Sequence, residues 1–235
     1  MINKEKLRLE AAGLGLELTE EMLEKFDRFA ELLVETNKVM NLTAIKEPDE
    51  IAVKHFADSL SVFTAEDIPV GASVIDIGTG AGFPGIPMLI FRPDLKLTMV
   101  DSTGKKLNFV RQTLEKLNLS AEVIHTRAEE LGQGAKRESF DYAVSRAVAA
   151  LNVLSEYCIP FVKPGGKFIA MKGAKAAEEL SAAKSAVKTL GGAFLKEHSL
   201  VLSDSAERSL IIIKKISQTP TKYPRPSAQI SKKPL

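Results

Sequence analysis

Residues 74–87 read VIDIGTGAGFPGIP, and the reading of this stretch decides the fold. A short apolar run closes on Gly78, and glycines recur at Gly80, Gly82 and Gly85. That pattern predicts a buried strand feeding a glycine-rich turn and then a helix. Glycines serve such a turn by letting the chain reverse sharply and letting a ligand approach the backbone closely. Two parses compete. Gly78, Gly80 and Gly82 form a G-x-G-x-G run, whereas Gly80, Gly82 and Gly85 fit the G-x-G-x-x-G of dinucleotide enzymes.

The residues between the glycines discriminate. A pyrophosphate on a helix N-terminus needs backbone N–H donors, and Pro84 removes one from that surface. Asp76 places a carboxylate at the end of the strand, close to the expected ligand. It repels phosphate and favours the ammonium or sulfonium of S-adenosylmethionine, directly or through water. The loop therefore favours S-adenosylmethionine, with a purely structural tight turn as the alternative.

Working outward, short apolar runs alternate with helix-length segments from Ala72 onward. SVIDIG, LKLTMVD, AEVIHT, FDYAVS and GKFIAMKG read as strands. Between the second and third, Leu107, Val110, Leu114 and Leu117 mark one face of a helix. A second helix covers roughly residues 151–157, and an alanine-rich third precedes Gly191. The alternation predicts a Rossmann-like, doubly wound and mostly parallel sheet. AFLKEHSLVL and RSLIIIKKI follow as a hairpin, which brings the strands to seven and makes the last antiparallel.

Ahead of this core, residues 1–65 carry helical spacing: Leu23, Phe26, Ala30 and Leu33 recur after Thr19, a candidate N-cap. Pro48 suits the first position of another helix through Ile51, Ala52 and Phe56. This predicts an N-terminal helical cap, a methyltransferase-like core over residues 66–216 and a basic, proline-rich C-terminal arm over residues 217–235. The final twenty residues hold four prolines and no apolar periodicity, so the arm is expected to be extended. From Lys214 onward there are six basic and no acidic residues, against a net charge of only +2. The body is thus acidic and the tail basic, which suggests a polyanionic partner or a solvated terminus.

Composition narrows the class. The chain of 235 residues is 45% hydrophobic and 26% charged, as in soluble globular proteins. Its charged N-terminus is not signal-like, and no apolar run has the length to cross a bilayer. The single cysteine, Cys158, forms no internal disulfide, and a reducing cytosol is expected. His55, His125 and His198 lie too far apart to suggest a metal set. Cys158 reads as core rather than nucleophile, and His55 as a hydrogen-bonded structural histidine.

Further candidates follow the other strands. Asp101 ends the second strand and can accept hydrogen bonds from two ribose hydroxyls, or else Asp101 or Ser102 caps the next helix. Ala128 and Glu129 follow the third strand, where such sheets hold adenine, although Glu129 alone would read as a solvated helix residue. Ser145, Arg146 and Ala147 follow the fourth. Arg146 is a fixed cation able to hold a carboxylate, a phosphate or a guanine O6, with a surface ion pair as the alternative.

In order along the chain, NKVMNLTAIKEP, HFADSL, DIGTGAGFPGIP, DSTGKKLNFV, RAEEL, SRAVA and MKG resemble the RsmG (GidB) family of bacterial small-subunit ribosomal RNA methyltransferases. The resemblance spans nearly the whole chain. It implies a class I S-adenosylmethionine-dependent fold and methyl transfer to N7 of one guanine in a 16S rRNA loop near the decoding centre. It places cofactor contacts at Gly78, Phe83, Ala128, Glu129 and Arg146. Gly80 belongs to the same loop, and Asp76 and Asp101 are added from the wider superfamily. Guanine N7 carries a lone pair and no proton, so no general base is expected, and Arg146 is expected to position the reactants. The implied partner is 16S rRNA or the small ribosomal subunit, met by a cytoplasmic monomer without metal or membrane. Alternatives are a small-molecule methyltransferase, a non-catalytic nucleotide- or RNA-binding protein and an NAD-dependent oxidoreductase.

Overall fold

The computed structural model describes residues 2–146 and 148–235, so Ala147 lies outside the described residues. The cap begins with α1 (Lys4–Gly13) and α2 (Glu20–Met40). Thr19 Oγ1 accepts from the Met22 N–H at 3.3 Å, and Glu20 and Glu21 occupy the first turn. The expected stripe of Leu23, Phe26, Ala30 and Leu33 is wholly buried.

The helix expected at Pro48 is broken into pieces: α3 (Pro48–Glu50), a π-helical segment (Ile51–Ala57), α4 (Asp58–Leu60) and α5 (Val62–Ala65). A π turn inserts a residue relative to the α period and rotates the next side chains about the helix axis. No apolar spacing reports such an insertion, and the segment carries His55 and delivers Asp58, both part of the site.

The core runs β1 (Ser73–Ile77), α6 (Gly85–Phe91), β2 (Lys96–Asp101), α7 (Gly104–Lys116), β3 (Glu122–His125), α8 (Ala128–Leu131), β4 (Phe140–Arg146), α9 (Leu151–Cys158), β5 (Val162–Lys172), α10 (Ala176–Thr189), β6 (Gly192–Val201) and β7 (Glu207–Lys215). The seven strands are ordered β3-β2-β1-β4-β5-β7-β6. Pairings from β3 across to β5 are parallel, and β7 lies antiparallel between β5 and β6. The Rossmann-like architecture read from the alternating pattern is the one observed.

Successive side chains on β1 serve two cores, as strand geometry requires. Val74 packs in the cluster that holds the cap and α6, whereas Ile75 and Ile77 pack with α9 and α10. The cap therefore shares one continuous apolar core with the sheet. Phe29 ties them together, stacked 5.1 Å from Phe83 and tilted against Phe56 at 5.5 Å, ring centre to ring centre.

The C-terminal arm is not extended. It folds against α9 and ends in α11 (Ser227–Lys232), with Tyr223 and Ile230 buried. One side chain holds two of its peptide carbonyls: Arg137 donates from Nη2 to the Thr219 carbonyl and from Nη1 to that of Tyr223, each at 2.6 Å. Two of the basic residues are committed internally, Lys215 to Glu138 at 3.1 Å and Arg225 to Glu156 at 2.6 Å. Proline-rich composition suggests an extended arm, but it reports neither the short helix after Pro226 nor the apolar side chains that dock at single positions.

Because Phe29 joins cap and sheet, Phe29→Ala is expected to cost about 3–5 kcal/mol of stability, read from urea unfolding. A loss below about 1 kcal/mol would mean that the cap contributes little to the sheet's core.

Candidate active site at the carboxyl ends of the strands

The strand order reverses between β1 and β4, and ligands of open α/β sheets bind in the crevice at such a point. A cavity of about 360 Å³ lies there, lined by Gly78, Gly80, Asp101, Ala128, Glu129 and Arg146 among others. Three loop glycines adopt left-handed backbone, with φ of +73° at Gly78, +57° at Gly80 and +97° at Gly82. A Cβ at Gly78 would stand 2.5 Å from Val148 Cγ2. Glycine is thus required there by conformation and by space.

Asp101 is anchored and only partly consumed. Its Oδ2 accepts from the Gly80 N–H at 2.9 Å and its Oδ1 from the Thr103 N–H at 2.7 Å. A carboxylate has about four acceptor positions, so it retains capacity for hydroxyl groups in the cavity. The N-cap of α7 is Thr103, not Asp101 or Ser102. Glu129 is buried in the first turn of α8 rather than solvated.

Two expected contact residues lie beneath the loop instead of in the cavity. Asp76 is fully buried; its Oδ2 accepts from Thr79 Oγ1 at 2.6 Å and from the Gly85 N–H at 3.0 Å, folding the loop from below. Its Oδ1 is buried without a hydrogen-bond partner, and burial pushes the carboxyl up to about 7. Phe83 is also buried, with His55 stacked on it at 4.4 Å and the Arg146 guanidinium 4.9 Å from the ring centre.

Arg146 is not a free cation. Its Nη1 donates to Asp58 Oδ2 at 2.9 Å and to the Lys54 carbonyl at 3.0 Å. Its Nη2 lies 3.1 Å from His55 Nδ1, and since guanidinium can only donate, that nitrogen must accept. The His55 proton therefore sits on Nε2, facing Thr43 Oγ1 at 2.8 Å. Asn37 in turn folds the Thr43 loop, accepting from the Leu42 and Thr43 N–H groups at 2.6 and 3.0 Å. On the far side, Asp58 Oδ1 accepts from Arg208 Nε at 3.1 Å, and Arg208 is held by Asp204. Sequence reasoning missed Asn37, Thr43, Asp58 and Arg208 as site residues. The only signal was their place in the NKVMNLTAIKEP and HFADSL blocks or in the hairpin.

A second cleft, about 750 Å³, shares Arg146 and Val148 with the first and adds Lys54, Asp58, Lys172 and Arg208. The two cavities meet across that pair of residues. His55, which lines the larger cleft, is not free to act as a general base. Both His55 nitrogens are engaged, and burial, reinforced by Arg146, holds its pKa down to about 3. Burial pushes the Cys158 thiol up, as expected for a core residue. Among the described residues no cluster of metal-ligating side chains occurs, and no helix is long and apolar enough to cross a membrane.

The residues fit S-adenosylmethionine: a cradle that excludes any side chain at Gly78, a carboxylate with free acceptor positions at Asp101, and a cavity of suitable size. Fold and site together define a class I S-adenosylmethionine-dependent methyltransferase. Among solved structures, TrmN from Thermus thermophilus superposes with a TM-score of 0.54 at 16% identity, over 67% of this chain and 48% of that one. A putative sarcosine dimethylglycine methyltransferase from Galdieria sulphuraria gives 0.55 at 12%, over 73% and 89%. At these identities the likeness concerns the fold.

Sequence comparison is more specific. Residues 22–211 match the family model for GidB, rRNA small subunit methyltransferase G. The chain is 48% identical to ribosomal RNA small subunit methyltransferase G of Desulforamulus reducens, over 97% of both chains. It is 46% identical to that of Lactobacillus acidophilus, over 100% of both. The chain belongs to the rRNA small subunit methyltransferase G family.

The buried, neutral His55 predicts a pH dependence. The unfolded chain takes up the imidazole proton near the ordinary 6.5, whereas the folded chain resists until about 3. Stability from this group is therefore lost as pH falls through that window, by about 2 kcal/mol at pH 5. Asp76, raised instead, slopes the opposite way. The readout is thus the difference between wild type and His55→Gln in urea unfolding from pH 7 to pH 5. A constant difference would remove the assignment.

Proposed function

We propose that this chain transfers a methyl group from S-adenosylmethionine to N7 of one guanine in a 16S rRNA loop near the decoding centre. The observation that carries the reading is the meeting of two clefts at Arg146 and Val148. One suits the cofactor, and the larger one can admit a nucleotide splayed from its RNA. When bound, the sulfonium supplies the electrophilic methyl.

The chain's own residues position and exclude. Gly78, Gly80, Ala128 and Glu129 shape the cofactor cleft, and Asp101 offers acceptors for hydroxyl groups. Asp76 fixes the loop through Thr79 and Gly85, and Phe83 forms the floor under Arg146. Guanine N7 presents an in-plane lone pair without a proton. Alignment of nitrogen, methyl and sulfur can then account for the rate, consistent with a His55 whose nitrogens are both engaged. Arg146 acts here as a positioning residue: Asp58 and His55 fix its plane at the boundary of the two clefts. The chain is expected to act in the cytoplasm as a monomer.

Transfer of labelled methyl to small-subunit particles lacking the modification tests the reading, with the position mapped by borohydride–aniline cleavage. Absence of incorporation, or a product at another base, would overturn it. Asp101→Ala is expected to weaken cofactor binding by about 1–3 kcal/mol, read by calorimetry. Arg146→Ala is expected to lower methyl transfer about a hundredfold while the cofactor Kd changes less. Equal losses in both would assign Arg146 to cofactor binding alone.

A further inference from the structure

The C-terminal segment meets the cofactor cleft at Ser227, which lines it together with Tyr157 of α9. The two hydroxyl oxygens are 3.3 Å apart. Pro224, three residues earlier, reaches the other side. Its carbonyl accepts from Gln133 Nε2 at 2.7 Å, and its ring lies 3.0 Å from where a Cβ on Gly132 would stand. Gly132 directly follows α8, whose Ala128 and Glu129 face the cleft. The segment from Pro224 to Ser227 thus spans α8 and α9 beside the cleft.

What holds it there is a buried charge. Glu156 on α9 is completely inaccessible to solvent. Its Oε1 accepts from the Arg225 main-chain N–H at 2.8 Å and from Nε at 2.9 Å, and its Oε2 from Nη2 at 2.6 Å. A carboxylate buried in a core helix is strongly unfavourable unless paired and hydrogen-bonded. Here both oxygens are satisfied by one residue of the C-terminal segment. Arg225 sits between Pro224 and Ser227, so the ion pair sets the position of the two residues that touch α8 and the cleft.

We propose that the C-terminal segment is a wall of the cofactor cleft, with Ser227 a cofactor-facing residue and the Glu156–Arg225 pair the buckle that positions it. This rests on the assignment of that cleft to S-adenosylmethionine. It gives the tail a role other than grasping polyanions, and it explains why an arginine of a basic tail is paired inside the fold.

The test is calorimetric titration of the full-length chain with S-adenosylhomocysteine. It compares wild type with Arg225→Ala, Ser227→Phe and Asp101→Ala, with folding of each checked by circular dichroism. Arg225→Ala and Ser227→Phe are expected each to raise Kd tenfold or more. Saturating ligand is expected to slow trypsin cleavage after Lys222 in wild type but not in Ser227→Phe. If Asp101→Ala weakens binding while both tail variants keep the wild-type Kd, the wall is refuted and the cleft assignment stands. If no variant changes Kd, or the wild type does not bind, the cleft assignment falls and the wall with it. Should Arg225→Ala not fold, Ser227→Phe decides alone, because Ser227 is only partly buried and makes no ion pair.

Discussion

The Arg146 guanidinium, held by Asp58 and His55 over the Phe83 ring, is the contact on which the site depends. It joins three parts of the chain: the π-helical segment of the cap, the glycine loop and the end of β4. A guanidinium is planar and cannot deprotonate, so fixing two of its nitrogens fixes its plane. Asp58 is shared with Arg208 of β7, which extends the clamp to the antiparallel part of the sheet. Cap and core are therefore linked both by packed apolar surface and by a chain of charges that ends at the junction of the two clefts.

The arrangement also explains why this chain needs little acid–base equipment. His55, against the arginine at the junction, is buried and engaged at both nitrogens, one by Arg146 and the other by Thr43. Its burial beside a cation keeps it neutral and turns it into a spacer of defined tautomer. Asp76, raised by burial, holds the glycine loop through Oδ2. Groups that would serve proton transfer in other sites here fix the positions of the loop and the arginine. That division of labour suits a reaction whose acceptor carries no proton.

The two faces of the sheet contribute differently. The cap and α6 close one face and carry the arginine clamp, so the larger cleft is built from residues of distant chain segments. On the other face, α9 does double duty. It packs Leu151, Leu154 and Cys158 into the core and presents Glu156 and Tyr157 to the C-terminal segment. The C-terminal segment thus packs on the same helix that closes this face of the sheet.

Much of this was legible in the sequence. The strand–glycine turn–helix, the alternation of strands and helices, the antiparallel ending and the positions of Gly78, Gly80, Asp101, Ala128 and Glu129 near one crevice follow from local periodicity and chain order. Those signals are carried by residues close in sequence, where strand and helix geometry leaves few options. Local pattern could not place Asp76 and Phe83 beneath the loop, commit Arg146 to Asp58, insert a π turn ahead of Asp58, or dock Arg225 on Glu156. Each depends on which distant side chains meet when the sheet closes, 88 residues apart for Arg146 and Asp58 and 69 for Arg225 and Glu156. A carboxylate's partner in a folded core is set by packing and by the penalty for leaving it unpaired. Only the tertiary structure could therefore decide it.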